Sequence, residues 1–382
     1  MIGPKKRRLL FTLLCLATIG AMPNAAAAQD SLPPLPGGAF TVVVIPDTQH
    51  YVGPGTKIAR RGVKFHPGMK AHPYIRTHSE LPDGQAPGEV ANRYLETHID
   101  WITGNAASQN IAFVSHVGDI VEIDRPEEWA VARSQLDRLR GVVPFGLTVG
   151  NHDMQRDGDA SHFQAAFPAA SFAGFDWYLE SYRHDRDDQE VSANNVNSAQ
   201  LFSAGGHDFV FLHLECNAPD DVLAWANDLL ERYRDRHALI STHMDLGIIE
   251  RPTNEAGYIH DPKGRMQWAK RHGDRGNTGQ DLWEKLFRRH ANVGFVFSGD
   301  QSRVTAMHLA ETGDHGQVVH SLLSDYMSRG ALRLVRFVPD AGRVDIVTYD
   351  TMLGRLVESM PYAPRREQHQ FSIDFDFARD PQ

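Results

Sequence analysis

The stretch that decides the reading is Val142-Val143-Pro144-Phe145-Gly146-Leu147-Thr148-Val149-Gly150-Asn151-His152-Asp153, an apolar run that ends in Gly-Asn-His-Asp. The run reads as a buried strand, and the glycine at its end lets the backbone turn sharply and present the following side chains at the carboxyl edge of a sheet. That edge is where open α/β sheets carry their chemistry. Alone, Asn151-His152 would read as an ordinary turn. Three other strand ends alter that balance by delivering ligand-type residues: Pro46-Asp47-Thr48-Gln49, Gly118-Asp119 and Thr242-His243. Carboxylate, amide and imidazole arriving from separate strands is how a dinuclear metal site is assembled.

The rest of the chain supports an α/β reading. Phe40-Thr41-Val42-Val43-Val44-Ile45 shows no alternation, so both of its faces should be buried, and Pro46 ends it. Tyr94, Leu95, His98, Ile99 and Ile102 fall at helical spacing, with Gly104 as the stop. The strand Ile111-Ala112-Phe113-Val114 follows and runs on to Gly118-Asp119. Pro126, Trp129, Ala132, Leu136 and Leu139 mark a second amphipathic helix, with Gly141 beyond its end. After Asp153 an irregular region carries Trp177, Tyr178 and Tyr182, whose rings are expected to pack. Gly205-Gly206 reads as a hairpin turn, which adds antiparallel strands to the parallel set. Pro219 opens another helix, and Ala238-Leu239-Ile240-Ser241-Thr242 delivers His243. A further loop spans Leu246 to Gln280. Then come a short helix, the strand Val293 to Phe297, and a stretch of strands alone to Phe377.

At 382 residues and 41% apolar, the chain can bury a large core. Lys5-Lys6-Arg7-Arg8, the mostly apolar run Leu9 to Met22 and Ala25-Ala26-Ala27-Ala28 read as a signal peptide over 1–28, with cleavage before Gln29. The run is too short for a spanning helix, which needs roughly 20 apolar residues, so no permanent membrane anchor is expected. Arg7-Arg8-Leu9-Leu10-Phe11 also hints at twin-arginine export. The implied location is the periplasm or the exterior. Removing the leader, with its four basic and no acidic side chains, takes the formal charge from −9 to −13, which argues against nucleic acid as a partner. It also leaves Cys216 as the lone cysteine, so no internal disulfide is available. The expected organisation is a linker at 29–38, a single domain at 39–377 and a short tail at 378–382. That domain carries a flap insertion at about 52–91, rich in proline and glycine and bearing His66, His72 and His78.

Asp47 and Gln49, Gly118-Asp119, Gly150-Asn151-His152-Asp153 and Thr242-His243, in this order, resemble the calcineurin-like metallophosphoesterase superfamily. The resemblance covers nearly the whole mature chain. Pro46-Asp47-Thr48-Gln49 looks like the exported bacterial branch in which glutamine replaces the histidine of Asp-x-His. The fold so implied is a sandwich of two mixed β-sheets flanked by helices. The resemblance makes Asp47 and Gln49 ligands of a first metal and Asp119 the carboxylate bridging two metals. Asn151 and His243 become ligands of the second, with His152 off the metals and aimed at the phosphoryl oxygen or leaving group. Asp153 could orient the imidazole of His152, as outer carboxylates commonly do. Two divalent ions about 4 Å apart lower the pKa of a shared water and clamp the charge of an in-line displacement.

The last motif departs from the superfamily. Where Gly-His-x-His is usual, this chain has Gly299-Asp300-Gln301-Ser302. Asp300 can still ligate the second metal, whereas Ser302 is a poor ligand and leaves the first site with Asp47 and Asp119 as its strong donors. Oxygen donors favour harder ions such as Mn²⁺, Mg²⁺ or Ca²⁺ over Zn²⁺, with iron left open. The leading expectation is an exported metal-dependent hydrolase of a phosphomonoester or phosphodiester on a small molecule or a protein. The alternative is a degenerate relative that binds metal and an anionic or phosphorylated ligand without turnover.

Overall fold

The computed structural model describes residues 31–51, 90–183, 191–247, 271–301, 306–326, 330–357 and 366–378. The leader, flap residues 52–89 with their three histidines, and Ser302 lie outside the described residues.

Among the described residues, two seven-stranded sheets face each other. The first is built on β1 (Phe40–Ile45), β2 (Ile111–His116) and β3 (Phe145–Leu147), which are parallel in that order. On the other side of β1 come antiparallel β11 (Ala331–Val338) and β12 (Arg343–Asp350), with β13 (Arg355–Leu356) and β14 (Gln370–Asp374) pairing β12. The second sheet runs β4 (Tyr178–Ser181), β5 (Ser198–Ala204), β6 (His207–Leu214), β7 (His237–Thr242), β8 (Val293–Ser298), β10 (Val318–Ser324) and β9 (Ala306–Thr312). From β6 to β10 its strands are parallel, with antiparallel strands at both edges. Both sheets are therefore mixed, as expected.

Strand β1 shows why its sequence lacks alternation. Phe40, Val42 and Val44 face the second sheet, while Val43 and Ile45 face helices on the outside. Those helices are α1 (Arg93–Asn105), α2 (Pro126–Leu136) and α3 (Ser161–Ala166), which bring Leu95, Ile99, Ile102, Trp129 and Phe163 into one cluster. The outer face of the second sheet is covered by α4 (Asp220–Arg232) and α5 (Gly279–Lys285) through Val222, Leu229, Leu282 and Trp283. Between the sheets lies a slab of phenylalanine: Phe40, Phe113, Phe209, Phe211, Phe295, Phe297 and Phe337 are buried there. Each such ring contributes on the order of 2–3 kcal/mol by leaving water. Cys216 is free and buried, so this packing carries the stability.

Local signals explain most boundaries. Asn92 caps α1, its side chain accepting from Leu95 N at 3.0 Å, and the helix runs through Gly104 to Asn105. Pro126 opens α2 at its first turn, and Thr278 with Asp281 forms a capping box on α5. Strand β3 is shorter than the apolar run suggests, because Val142 lies in the preceding turn, 47% exposed. Trp177 and Tyr178 pack as expected, against Phe175 and Phe172 respectively. Residues 31–38 are not a free tether: Arg336, itself buried, donates to Pro33 O at 2.9 Å.

Near their carboxyl ends the sheets are joined by directional bonds. Ser115 Oγ lies 3.0 Å from His213 Nε2, whose Nδ1 is 2.7 Å from Gln200 Oε1, and Thr148 donates to Ser241 Oγ at 3.0 Å. Among the described residues no helix is long and apolar enough to cross a membrane.

Candidate metal centre

The turns after β1, β2, β3, β7 and β8 end on one edge of the sandwich. There Asp47, Asp119 and His243 each offer a ligand atom, all within 4.8 Å of one another, and all three residues are buried. This cluster could hold a metal ion. The two sheets supply it jointly, Asp47 and Asp119 from the first and His243 from the second.

The backbone is shaped around these side chains. Asp119 and Asp300 adopt φ of 49° and 64°, a left-handed conformation that costs a non-glycine residue about 1 kcal/mol and that aspartate tolerates better than most. Gly150 serves by close approach, since a Cβ there would fall 2.3 Å from Asp119 Oδ1. Gly299 does the same beside the other acid, where a Cβ would fall 2.1 Å from Asp47 Oδ1.

Asp119 is the hub. Its Oδ1 accepts the His152 backbone N–H at 2.8 Å, and its Oδ2 accepts Gln49 Nε2 at 2.9 Å and lies 3.2 Å from His243 Nε2. Burial works to raise the Asp119 carboxyl. The imidazoles of His243 and His152 and the hydrogen bonds outweigh it and bring the group down to about 2. His243 sits with Nδ1 2.9 Å from Val117 O, an arrangement in which Nδ1–H donates and Nε2 points inward. That Nε2 is 3.1 Å from Asn151 Oδ1 and 3.7 Å from Asp300 Oδ1. Burial would lower this imidazole, yet the field of Asp119, with Asp300 and Asp47, drives it well above its usual range. The same field would act on a divalent cation.

Asp47 Oδ2 accepts the Asp300 backbone N–H at 3.2 Å, while its Oδ1 is buried with no hydrogen-bond partner. A buried carboxylate oxygen without a donor is costly unless something positive meets it. Burial raises the Asp47 carboxyl well above the carboxylate range, and Asp325, Asp119 and Asp300 push it further against the pull of His243. The donor set of carboxylates, an amide carbonyl and one imidazole fits a divalent metal.

The sequence-derived residues separate into groups. Asp47, Asp119 and His243 come together, with Asn151 and Asp300 in contact with His243. Gln49 reaches Asp119 through its amide nitrogen, so ligation would need its other amide atom, Oε1. His152 Nδ1 lies 2.7 Å from Glu122 O, and this backbone carbonyl orients the ring. The expectation that Asp153 orients it is corrected. Asp153 is fully buried beneath the turn, where it accepts the backbone N–H groups of Gly150, Ile120 and Val121 at 2.8, 3.1 and 2.9 Å. Burial, helped by Asp119, raises its carboxyl to about 7 against the pull of those amides.

Asp325 was not foreseen. It follows β10, whose parallel register against β8 pairs Leu323 with Ser298 and so carries Asp325 level with Asp300. It is buried and, after burial itself, is the strongest influence on Asp47. The signal in sequence was only an acid after an apolar run, Leu322-Leu323-Ser324-Asp325.

No family model matches the chain. Over 281 residues, 70% of this chain, it is 26% identical to the uncharacterized protein YvnB of Bacillus subtilis strain 168, spanning 19% of that protein's length. Among solved structures it is similar to the purple acid phosphatase PPD1 from yellow lupin (Lupinus luteus) seeds. The TM-score is 0.47 and the identity 12%, over 92% of this chain and 56% of that one. It is also similar to a 5'-nucleotidase precursor from Thermus thermophilus, with TM-score 0.41 and 14% identity over 83% of this chain and 52% of that one. A third is the NAD nucleotidase of Haemophilus influenzae, with TM-score 0.38 and 10% identity over 79% and 54%.

Proposed function

We propose that the protein is an exported metal-dependent phosphoesterase that hydrolyses a phosphomonoester or phosphodiester. The observation that carries this reading is the buried cluster of Asp47, Asp119 and His243, in which Asp47 keeps an oxygen, Oδ1, without a hydrogen-bond partner. One or two divalent ions, of the harder kind, would be held by Asp47, Gln49, Asp119, Asn151, His243 and Asp300. When bound, such ions supply a water made acidic and a charge clamp for the displaced oxygens. The chain's own residues do the rest. Asp119 holds the His152 backbone N–H and, with Gly150, fixes the turn that carries His152. The Glu122 carbonyl meets Nδ1 of His152, and the imidazole is the group that would hold or move a proton at the leaving oxygen. Export rests on the leader over 1–28.

The experiment is a metal titration by calorimetry on the mature chain, followed by assay of an aryl phosphomonoester and a bis-aryl phosphodiester with each metal. Metal-dependent hydrolysis of either is the expected result. Tight metal binding with no hydrolysis of both would overturn the enzyme reading in favour of a ligand-binding relative. Absence of metal binding would overturn the site altogether.

A further inference from the structure

The candidate centre is crowded with negative charge. Asp119, Asp300 and Asp325 all act on Asp47, pushing its carboxyl up. An anionic phosphoryl group approaching this edge needs a counter-charge besides any metal. Arg271 touches this edge with a half-buried guanidinium, whose Nη2 donates to the backbone carbonyl of Asn151. Asn151 is the residue whose side-chain oxygen meets His243 Nε2 at 3.1 Å, so Arg271 stands one residue's width from the candidate ligands.

Arg271 is held there by a buried support. Its backbone N–H donates to Asn217 Oδ1 at 3.3 Å, and Asn217 in turn donates through Nδ2 to Asn277 O at 2.8 Å. The next residue, His272, places Nε2 3.0 Å from Glu215 Oε2, and both side chains are fully buried. Glu215 is fixed by Asn197, which donates to Oε1 at 2.9 Å and accepts its N–H at 2.8 Å. Cys216 N donates to Val149 O at 2.8 Å, which ties this support to the strand end that leads into Gly150 and Asn151. The guanidinium is half-buried, and its contact with Asn151 uses one of five N–H donors. The fork that remains matches two phosphoryl oxygens, which an ammonium cannot do.

We propose that Arg271, held through its backbone by Asn217, binds the phosphoryl oxygens of a phosphomonoester at this centre. The inference rests on the phosphoesterase reading and narrows it to substrates with a terminal phosphate. A monoester dianion spreads two charges over three terminal oxygens, while a diester carries one charge over two, so the guanidinium meets the larger charge in the monoester.

The test uses the metal-loaded full-length mature chain with inorganic phosphate as the probe, measured by calorimetry, beside kinetics on the aryl monoester and the bis-aryl diester. R271A is expected to weaken phosphate binding about 10- to 100-fold and to raise KM for the monoester more than for the diester, at unchanged metal stoichiometry. R271K, which keeps the charge without the fork, is expected to recover only part of the affinity. Wild-type-like phosphate binding by metal-loaded R271A overturns the inference alone. Loss of metal in R271A and R271K in parallel with phosphate also overturns it, because Arg271 would then only brace the Asn151 turn. A wild-type protein that loads metal but neither binds phosphate nor hydrolyses any ester removes both the inference and the reading beneath it.

Discussion

Replacing Asp153 separates a structural acid from a chemical one. Its carboxylate satisfies three backbone N–H groups within the turns that carry Asp119 and His152, at 2.8 to 3.1 Å, and no water reaches it. Asp153→Ala leaves all three donors orphaned, at about 1–3 kcal/mol each. Partial relaxation brings the working figure to about 4–6 kcal/mol. Whole-protein stabilities are about 5–15 kcal/mol, so the alanine variant stands near the edge of folding. Asp153→Asn is the informative change. Its amide oxygen can keep the Gly150 and Ile120 bonds, but its NH₂ group then faces the Val121 N–H, for a loss of about 2–3 kcal/mol. Urea unfolding in excess chelator reads this as a lower midpoint at unchanged slope, free of metal linkage. An asparagine variant that unfolds at the wild-type midpoint while its turnover falls would refute the structural assignment. Asp153 would then act on His152 after all.

Three further outcomes are expected. Asp119→Ala should lower metal stoichiometry at every site it serves, since one carboxylate meets His243, Gln49 and the His152 amide together; unchanged stoichiometry by elemental analysis would remove its bridging role. His152→Ala should keep its metal and lose about 10²–10⁴ in turnover, most on poor leaving groups; loss of metal would show the imidazole to be a ligand. Acid should destabilise the fold through His213 and His369, which burial holds down to about 3 from an ordinary value of 6.5. Between these values these two positions bind two more protons in the unfolded chain than in the folded one, so their contribution to stability falls as pH drops below about 6.5, by about 3 kcal/mol per pH unit in mid-window. Gln substitutions at both positions should flatten that slope in pH-dependent urea melts, and an unchanged slope would count against it.

What could be read from the sequence follows from how each signal is physically made. β1, β2, β7 and β8 are apolar runs because both faces are covered, and the residues just past such runs have to emerge at one edge. Asp47, Asp119, His243 and Asp300 were legible for that reason. The hairpin at Gly205-Gly206 was legible because both residues take positive φ, of 58° and 80°. β4, α3 and β9 left no clear pattern: Ser161–Ala166 is too short for periodicity, and Ala306–Thr312 mixes faces at a sheet edge. Side-chain direction was the larger loss. Nothing in His152-Asp153 says that the acid turns under the loop towards amides while the imidazole finds the carbonyl of Glu122. Asp325 and Arg271 were hidden because each depends on a neighbour distant in the chain, Asp325 on the β8 register and Arg271 on the Asn217 support.

The candidate ligands are divided between two sheets whose shared interior is mostly phenylalanine. That slab holds the layers together by the area it keeps from water and, being close-packed, transmits a shift in one layer to the other. Directional bonds already cross at the ligand edge, those of Ser115 with His213, Thr148 with Ser241, His243 with Val117 and Asp300 with Asp47 among them. A cation gripped from both sides would add one more tie at this edge, a peg in a lap joint whose ligand distances hold to about 0.2 Å. Alignment of the halves and grip on the ion become one mechanical quantity. A change deep in the slab, such as at Phe211 or Phe297, would then retune metal affinity without touching a single ligand.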